Sequence, residues 1–369
     1  MTLSRIQRLQ SEAAAAGLDA IAVVPGPNMG YLTGLTFHLS ERPTVAFFPV
    51  DGSPALLVPA LEGTKARNAP IEFMIFTYDD VAGPAGAFGQ ALNVLNLAGK
   101  RLGVEGRRMR FLEIDLMERS GHSPQLSNAD EVIAQLRMRK DETEIEAMRR
   151  AVALAQQALE ATLPAIKAGV TEKEIVAELT LQLLRAGSEA ELPFQPLAAA
   201  GLNGANPHAT ASDSPVQPGD LLTLDWGAAV NGYFSDITRT YAIGGAPPPD
   251  ELRRAYEVVR EANRAGRAAV RPGATGQDVD RAARQVIEEA GLGRYFIHRT
   301  GHGLGLETHE EPDMKEGSLM PLEAGMTFTV EPGVYLPDLG GVRIEDDMVV
   351  TESGGESLTT LPRGLTTIG

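Results

Sequence analysis

The chain has 369 residues, 43% of them hydrophobic and 22% charged, with a formal net charge of −16 and no cysteine. This is a globular balance spread over more length than one core fills, so two domains are expected. The acidity excludes nucleic acid and an anionic membrane face as partners, and the missing thiols exclude disulfides, zinc–thiolate sites and cysteine nucleophiles.

No basic-then-apolar leader opens the chain, and no apolar run approaches the roughly 18 residues of a membrane helix, so a cytoplasmic protein is expected. "SRIQRLQSEAAAAG" predicts a helix stopped at Gly17. Short apolar runs follow, "DAIAVVPG", "RPTVAFFPV", "PALLVPA", "IEFMIFTY" and "RLGVEG", each bounded by Gly, Pro or Asp. Together they predict an α/β domain over residues 1–130, with a second domain over 131–369. In "KDETEIEAMRRAV", Asp141 and Glu144 have capping-box spacing, and Ile145, Met148, Val152, Ala155 and Leu159 mark one buried helical face.

The second domain carries an internal echo. "KAGVTEKEI" (167–175) returns as "RPGATGQDV" (271–279), and "PGDLLTLDWG" (218–227) returns as "AGMTFTVEPG" (324–333). Thr171 and Thr275 each precede an acid by three residues, as helix caps do. Two copies are too few for a solenoid, so one α+β domain of two related halves is expected. The echo also matches Asp225 to Glu331, which chance similarity of Gly/Thr-rich turns does not explain.

Asp225 and Asp236 interrupt β-prone runs on either side of Asn231-Gly232, a strong hairpin signal. A two-residue turn there pairs Val230 with Tyr233, which sets Asp225 opposite Thr238 and Asp236 opposite Gly227. The two acids then share a face as diagonal neighbours. Like charges so placed need a proton or a cation between them. Glu331 and Glu345 flank "YLPDLGG" in the same manner, so four carboxylates converge on a negative cleft suited to a pair of divalent cations. Nitrogen donors lie close in sequence: His298, His302 and His309 in "HRTGHGLGLETH", and His208 in "NPHAT". "GHGLGL" lacks the strand–GxGxxG–helix layout of a dinucleotide loop, so its glycines are read as letting backbone pass close to the site. "HEEP" does not have HExxH spacing, which excludes a zincin.

On these motifs the chain resembles, over essentially its full length, the pita-bread metallopeptidases of the Xaa-Pro branch, prolidase and aminopeptidase P. Its first domain resembles the N-terminal domain which that branch shares with creatinase. The resemblance implies metal ligands at Asp225, Asp236, His302, Glu331 and Glu345: Asp225 on one ion, His302 and Glu331 on the other, Asp236 and Glu345 bridging. It further implies Mn²⁺, with Co²⁺ or Zn²⁺ as alternatives, and a homodimer or larger assembly acting on short proline-containing peptides. Glu331 would shuttle a proton, His208 and His309 would stand near the substrate, and Tyr335 and Arg343 would orient the acids. One departure stands out: Asp313 occupies the place where archaeal-type prolidases carry an Arg for the dipeptide carboxylate, with Arg42 of "FHLSERPTV" as one substitute. Both a dipeptidase and an aminopeptidase P fit this pattern. A metal-free creatinase-like hydrolase or a non-enzymatic pita-bread binding module would be expected to have lost ligands, and methionine aminopeptidase lacks the first domain.

Overall fold

The structure is a computed structural model and describes residues 2–369. Internal contacts divide it into two units, one running to Arg137 and one from Met138 to Gly369.

The first unit is built on a six-stranded sheet. Its strands are β1 (Ala20–Val23), β2 (Val45–Pro49), β3 (Ala55–Pro59), β4 (Met74–Tyr78), β5 (Arg101–Val104) and β6 (Gln125–Asn128), in the order β4-β3-β2-β1-β5-β6. β2 runs antiparallel to both of its neighbours, and the other pairings are parallel. The five apolar runs form β1 to β5, and Phe47, Leu57 and Phe88 are buried in the core beneath them. The first helix, Thr2–Ala15, ends as expected before Gly17, whose φ of 69° suits a residue without Cβ. β6 has no apolar signature because it is an edge strand with no fully buried residue.

The second unit opens with the helix Glu142–Thr162. Asp141 accepts a hydrogen bond from the backbone of Glu144 (3.0 Å), and Glu144 accepts one from the backbone of Asp141 (2.7 Å). The face from Ile145 to Leu159 is buried as its spacing requires. The chain's one tryptophan, Trp226, is fully buried and donates Nε1–H to Ala155 O of this helix at 2.9 Å.

Two halves follow one plan. The first pairs this helix with Glu172–Ala186 and adds β7 (Leu197–Ala200), β8 (Leu221–Trp226), β9 (Ala229–Val230), β10 (Tyr233–Phe234) and β11 (Ile237–Ile243). The second pairs helices Asp250–Ala269 and Gly276–Glu289. It adds β12 (Gly301–Gly303), β13 (Glu310–Met314), β14 (Thr327–Val330), β15 (Gly333–Leu336), β16 (Gly340–Arg343), β17 (Asp346–Thr351) and β18 (Gly354–Ser357), before β19 (Thr367–Ile368) closes the chain. The main sheets are ordered β19-β11-β8-β7 and β13-β12-β14-β17-β18. Thr171 and Thr275 both cap their helices in capping boxes, with Glu174 and Asp278 as partners. Each also forms a β-bridge to a proline further on, Pro215 and Pro321. The sequence echo is thus an echo of structure.

Candidate active site

Asn231 and Gly232, with φ of 54° and 76°, make the tight turn between β9 and β10. Its register continues outward: Val230 pairs with Tyr233, and Thr238 of β11 pairs with Asp225 of β8. The ladder breaks between these segments, where Asp236 donates its backbone N–H to the Asp347 carboxylate at 3.1 and 3.3 Å. In the second half Val330 of β14 pairs with Asp346 of β17, so the next position along sets Glu331 opposite Glu345. Neither bonds across the hairpin. Glu331 N donates to Thr300 O (2.7 Å) and Glu345 N to Thr238 O (3.1 Å). The bridge between Thr238 and Glu345 joins the two halves at the site, and Thr238 Oγ1 donates to Glu345 Oε2 at 2.6 Å.

All four carboxylates and His302 line one cavity of about 770 Å³, together with His208, His298, Arg299, His309, Tyr335 and Arg343. Asp236, His302 and Glu345 each place a donor atom within 4.8 Å of the others. His302 Nε2 lies 3.4 Å from Glu331 Oε1 and 3.7 Å from Asp236 Oδ2. Asp225 Oδ2 accepts from Arg343 Nη2 at 2.5 Å, while its Oδ1 is buried without a partner.

Burial raises the Asp236 carboxyl well above its usual range, and repulsion from Glu345 and Asp225 adds to it. Glu345 is raised well above its usual value by burial and then by Glu331 and Asp225. Glu331 is pushed up to about 8 by burial, against the pull of Arg343. His302 is driven the other way by burial and stays neutral. Its Nδ1 lies 3.2 Å from Gly303 O, which can only accept, so the proton sits on Nδ1 and the Nε2 lone pair faces the acids. Four converging carboxyl groups, one neutral imidazole and an orphaned buried oxygen fit hard or borderline divalent metals.

The remaining histidines separate by role. His298 is neutral, its pKa pushed down to about 4 by burial, and it donates from Nδ1 to Arg299 O at 2.7 Å. Its Nε2 therefore accepts from Tyr335 OH (3.0 Å), which in turn accepts from Arg343 Nη1 (2.8 Å). With both nitrogens engaged, His298 does not join the donor cluster. His309 is exposed, its ring edge-on to His302 with centroids 4.2 Å apart, and His208 is exposed in the loop after β7. The glycines of β12 are steric: a Cβ on Gly301 would lie 1.8 Å from Thr329 O.

Three participants carry no sequence signal of their own. Thr238 is found only through its pairing with Asp225. Asp347 hides in a buried strand, and Arg299 reads as an ordinary charge. Asp313 is buried and ion-paired with Arg299 Nη1 (2.5 Å) and with Lys315, so cations do surround the position where an Arg was expected. Arg42 is bonded within the first unit, to Asp80 at 2.8 Å and Glu41 at 2.5 Å.

Comparison with known proteins agrees with this architecture. Residues 5–139 match the Creatinase/Prolidase N-terminal domain and residues 146–352 match Metallopeptidase family M24. A dipeptidase from Pyrococcus horikoshii OT3 is 37% identical with a TM-score of 0.93, covering 99% of this chain and 100% of that one. A prolidase from Thermococcus sibiricus is 32% identical with a TM-score of 0.94, covering 100% and 99%. An X-Pro aminopeptidase from Thermotoga maritima MSB8 is 32% identical with a TM-score of 0.85, covering 98% and 99%. The expected creatinase-like α/β domain and pita-bread catalytic domain are both present, and the chain belongs to metallopeptidase family M24.

Proposed function

We propose that this metallopeptidase hydrolyses Xaa-Pro dipeptides with two divalent metal ions per chain. The observation that carries the reading is the orphaned Oδ1 of Asp225, set in one cavity with the carboxyls of Asp236, Glu331 and Glu345 and the Nε2 of His302. Asp225, Asp236, His302, Glu331 and Glu345 would hold the ions. When bound, such ions polarise the scissile carbonyl and lower the pKa of water. Mn²⁺ suits a donor set of four carboxylates and one imidazole.

The chain's own residues supply the rest. Glu331, in the cavity with its Oε1 3.4 Å from His302 Nε2, takes a proton from the attacking water and returns it to the leaving nitrogen. His208 and His309, at the open side of the cavity, donate to the oxygen on which negative charge develops. Arg343 holds the Oδ2 of Asp225, and Tyr335 and Thr238 hold Arg343. Arg299 faces the substrate's C-terminal carboxylate, and Asp313 fixes its guanidinium. Proline at the leaving position makes the scissile bond a tertiary amide with a fixed ring, which a shaped site exploits as that nitrogen pyramidalises.

After Mn²⁺ reconstitution, Ala-Pro should be cleaved faster than Ala-Ala, Met-Ala or Ala-Pro-Ala. Equal turnover of Ala-Ala would sink the proline requirement, and faster cleavage of Ala-Pro-Ala would make the enzyme an aminopeptidase P. Purified chain that binds no divalent metal would favour the creatinase-like or binding-module reading.

A further inference from the structure

The strand pair that carries Glu331 and Glu345 has a gap in its hydrogen bonding. Its register places Ile344 opposite Pro332, between the pairs Val330–Asp346 and Gly333–Arg343. Ile344 N reaches Pro332 O at 3.4 Å, but proline has no N–H to return. Ile344 is fully buried, so its carbonyl needs another donor. The two glutamates cannot close the gap, because their own N–H groups go to Thr300 and Thr238.

Asn263 closes it. This residue of the helix Asp250–Ala269 is fully buried, and its Nδ2 donates to Ile344 O at 3.3 Å and to Val330 O at 3.0 Å. Those carbonyls belong to the residues immediately before Glu345 and Glu331. The amide's orientation is fixed from behind: Asn263 Oδ1 accepts from Arg267 Nε at 2.8 Å, and a guanidinium can only donate. Arg267 is itself ion-paired with Asp346 at 3.3 Å. One turn along the helix, a Cβ on Gly266 would stand 2.9 Å from Val330 Cγ1, so glycine there lets the helix approach closely enough for Asn263 to reach both strands.

We propose that Asn263 is a positioning residue of the metal centre: its side-chain amide replaces the peptide donor missing at Pro332 and so fixes the separation of Glu331 and Glu345. It touches no substrate and acts only through the backbone of the two acids. The inference rests on the reading of those acids as metal ligands.

The test compares wild type with Asn263→Ala, the isosteric Asn263→Asp, and Asn263→Ala combined with Pro332→Ala, which restores an N–H opposite Ile344. Mn²⁺ affinity is measured by chelator competition, kcat and KM on Ala-Pro, and thermal unfolding of the metal-free chains. Both single variants should bind Mn²⁺ about 10–100-fold more weakly, as changes behind metal ligands typically do. Turnover should fall at saturating Mn²⁺ while KM stays within about twofold, since substrate contacts are untouched. The double variant should recover part of the affinity, a coupling that a packing role would not produce. Folded variants with wild-type Mn²⁺ affinity and lower stability alone would overturn the proposal. Should the alanine variant not fold, the isosteric one decides on the same readouts. Wild-type chain without Mn²⁺ affinity would overturn the metal reading itself, a distinct result.

Discussion

Asp225 divides its two oxygens between a guanidinium and nothing, and that asymmetry sets what single substitutions at the site should do. Asp236→Asn keeps the size of this proposed ligand but removes its charge. Turnover should fall by more than the roughly 10–100-fold typical of groups behind the ligands, and metal content measured on the same sample should drop with it. His302→Ala should leave the fold intact by circular dichroism while one of two metals per chain is lost, and retention of both would make His302 structural. Arg299→Ala should cost about 2 kcal/mol of substrate binding, roughly 30-fold in kcat/KM, for Ala-Pro but little for its C-terminal amide. Equal losses on both would mean that Arg299 does not meet the carboxylate. The acids were legible in the sequence because each interrupts a β-prone run, where burial must be compensated. Arg299 was not, because an arginine before a strand looks the same whether it faces water or a substrate.

At the level of the element, one two-residue turn governs both first-half acids. Asn231-Gly232 fixes the register from Val230–Tyr233 to Asp225–Thr238, and a slip of one residue would turn both aspartates to the wrong face. Short-range chemistry of this sort is readable from residues, and so are the capping boxes at Asp141, Thr171 and Thr275. Thr275→Ala should cost about 1 kcal/mol, lowering the midpoint of thermal unfolding by roughly 2–4 °C in a domain of this size. The same loss in Thr171→Ala, adding to the first in the double variant, would show the two caps to be equivalent and independent. The short helices of the first unit and its edge strand β6 were not legible. Their residues are held by the sheet beside them more than by local pattern. The bridge between Thr238 and Glu345 joins residues 107 apart and leaves no local trace at all.

For the molecule as a whole, the centre couples proton binding to stability. Without metal, folding lifts the carboxyls of Asp236, Glu331 and Glu345, so between the usual value of about 4.3 and the value of about 8 for Glu331 the folded chain holds more protons than the unfolded one. Their contribution to the stability of the metal-free protein is therefore full below that window and lost as pH rises through it. Metal displaces those protons, so the rise in melting temperature on adding Mn²⁺ should be larger at pH 8 than at pH 5.5. An equal rise at both would show that no protons are released. The seam at Thr238 and Glu345 has a kinetic consequence as well. The proposed ligands, separated by up to 120 positions from Asp225 to Glu345, meet only after both halves have paired their strands, and contacts so distant in sequence form late. On the proposed metal reading, the ion would meet a finished site rather than seed one. Saturating Mn²⁺ should slow the unfolding arm of a denaturant chevron and leave the refolding arm where it was, so that the metal acts as a latch on the native state.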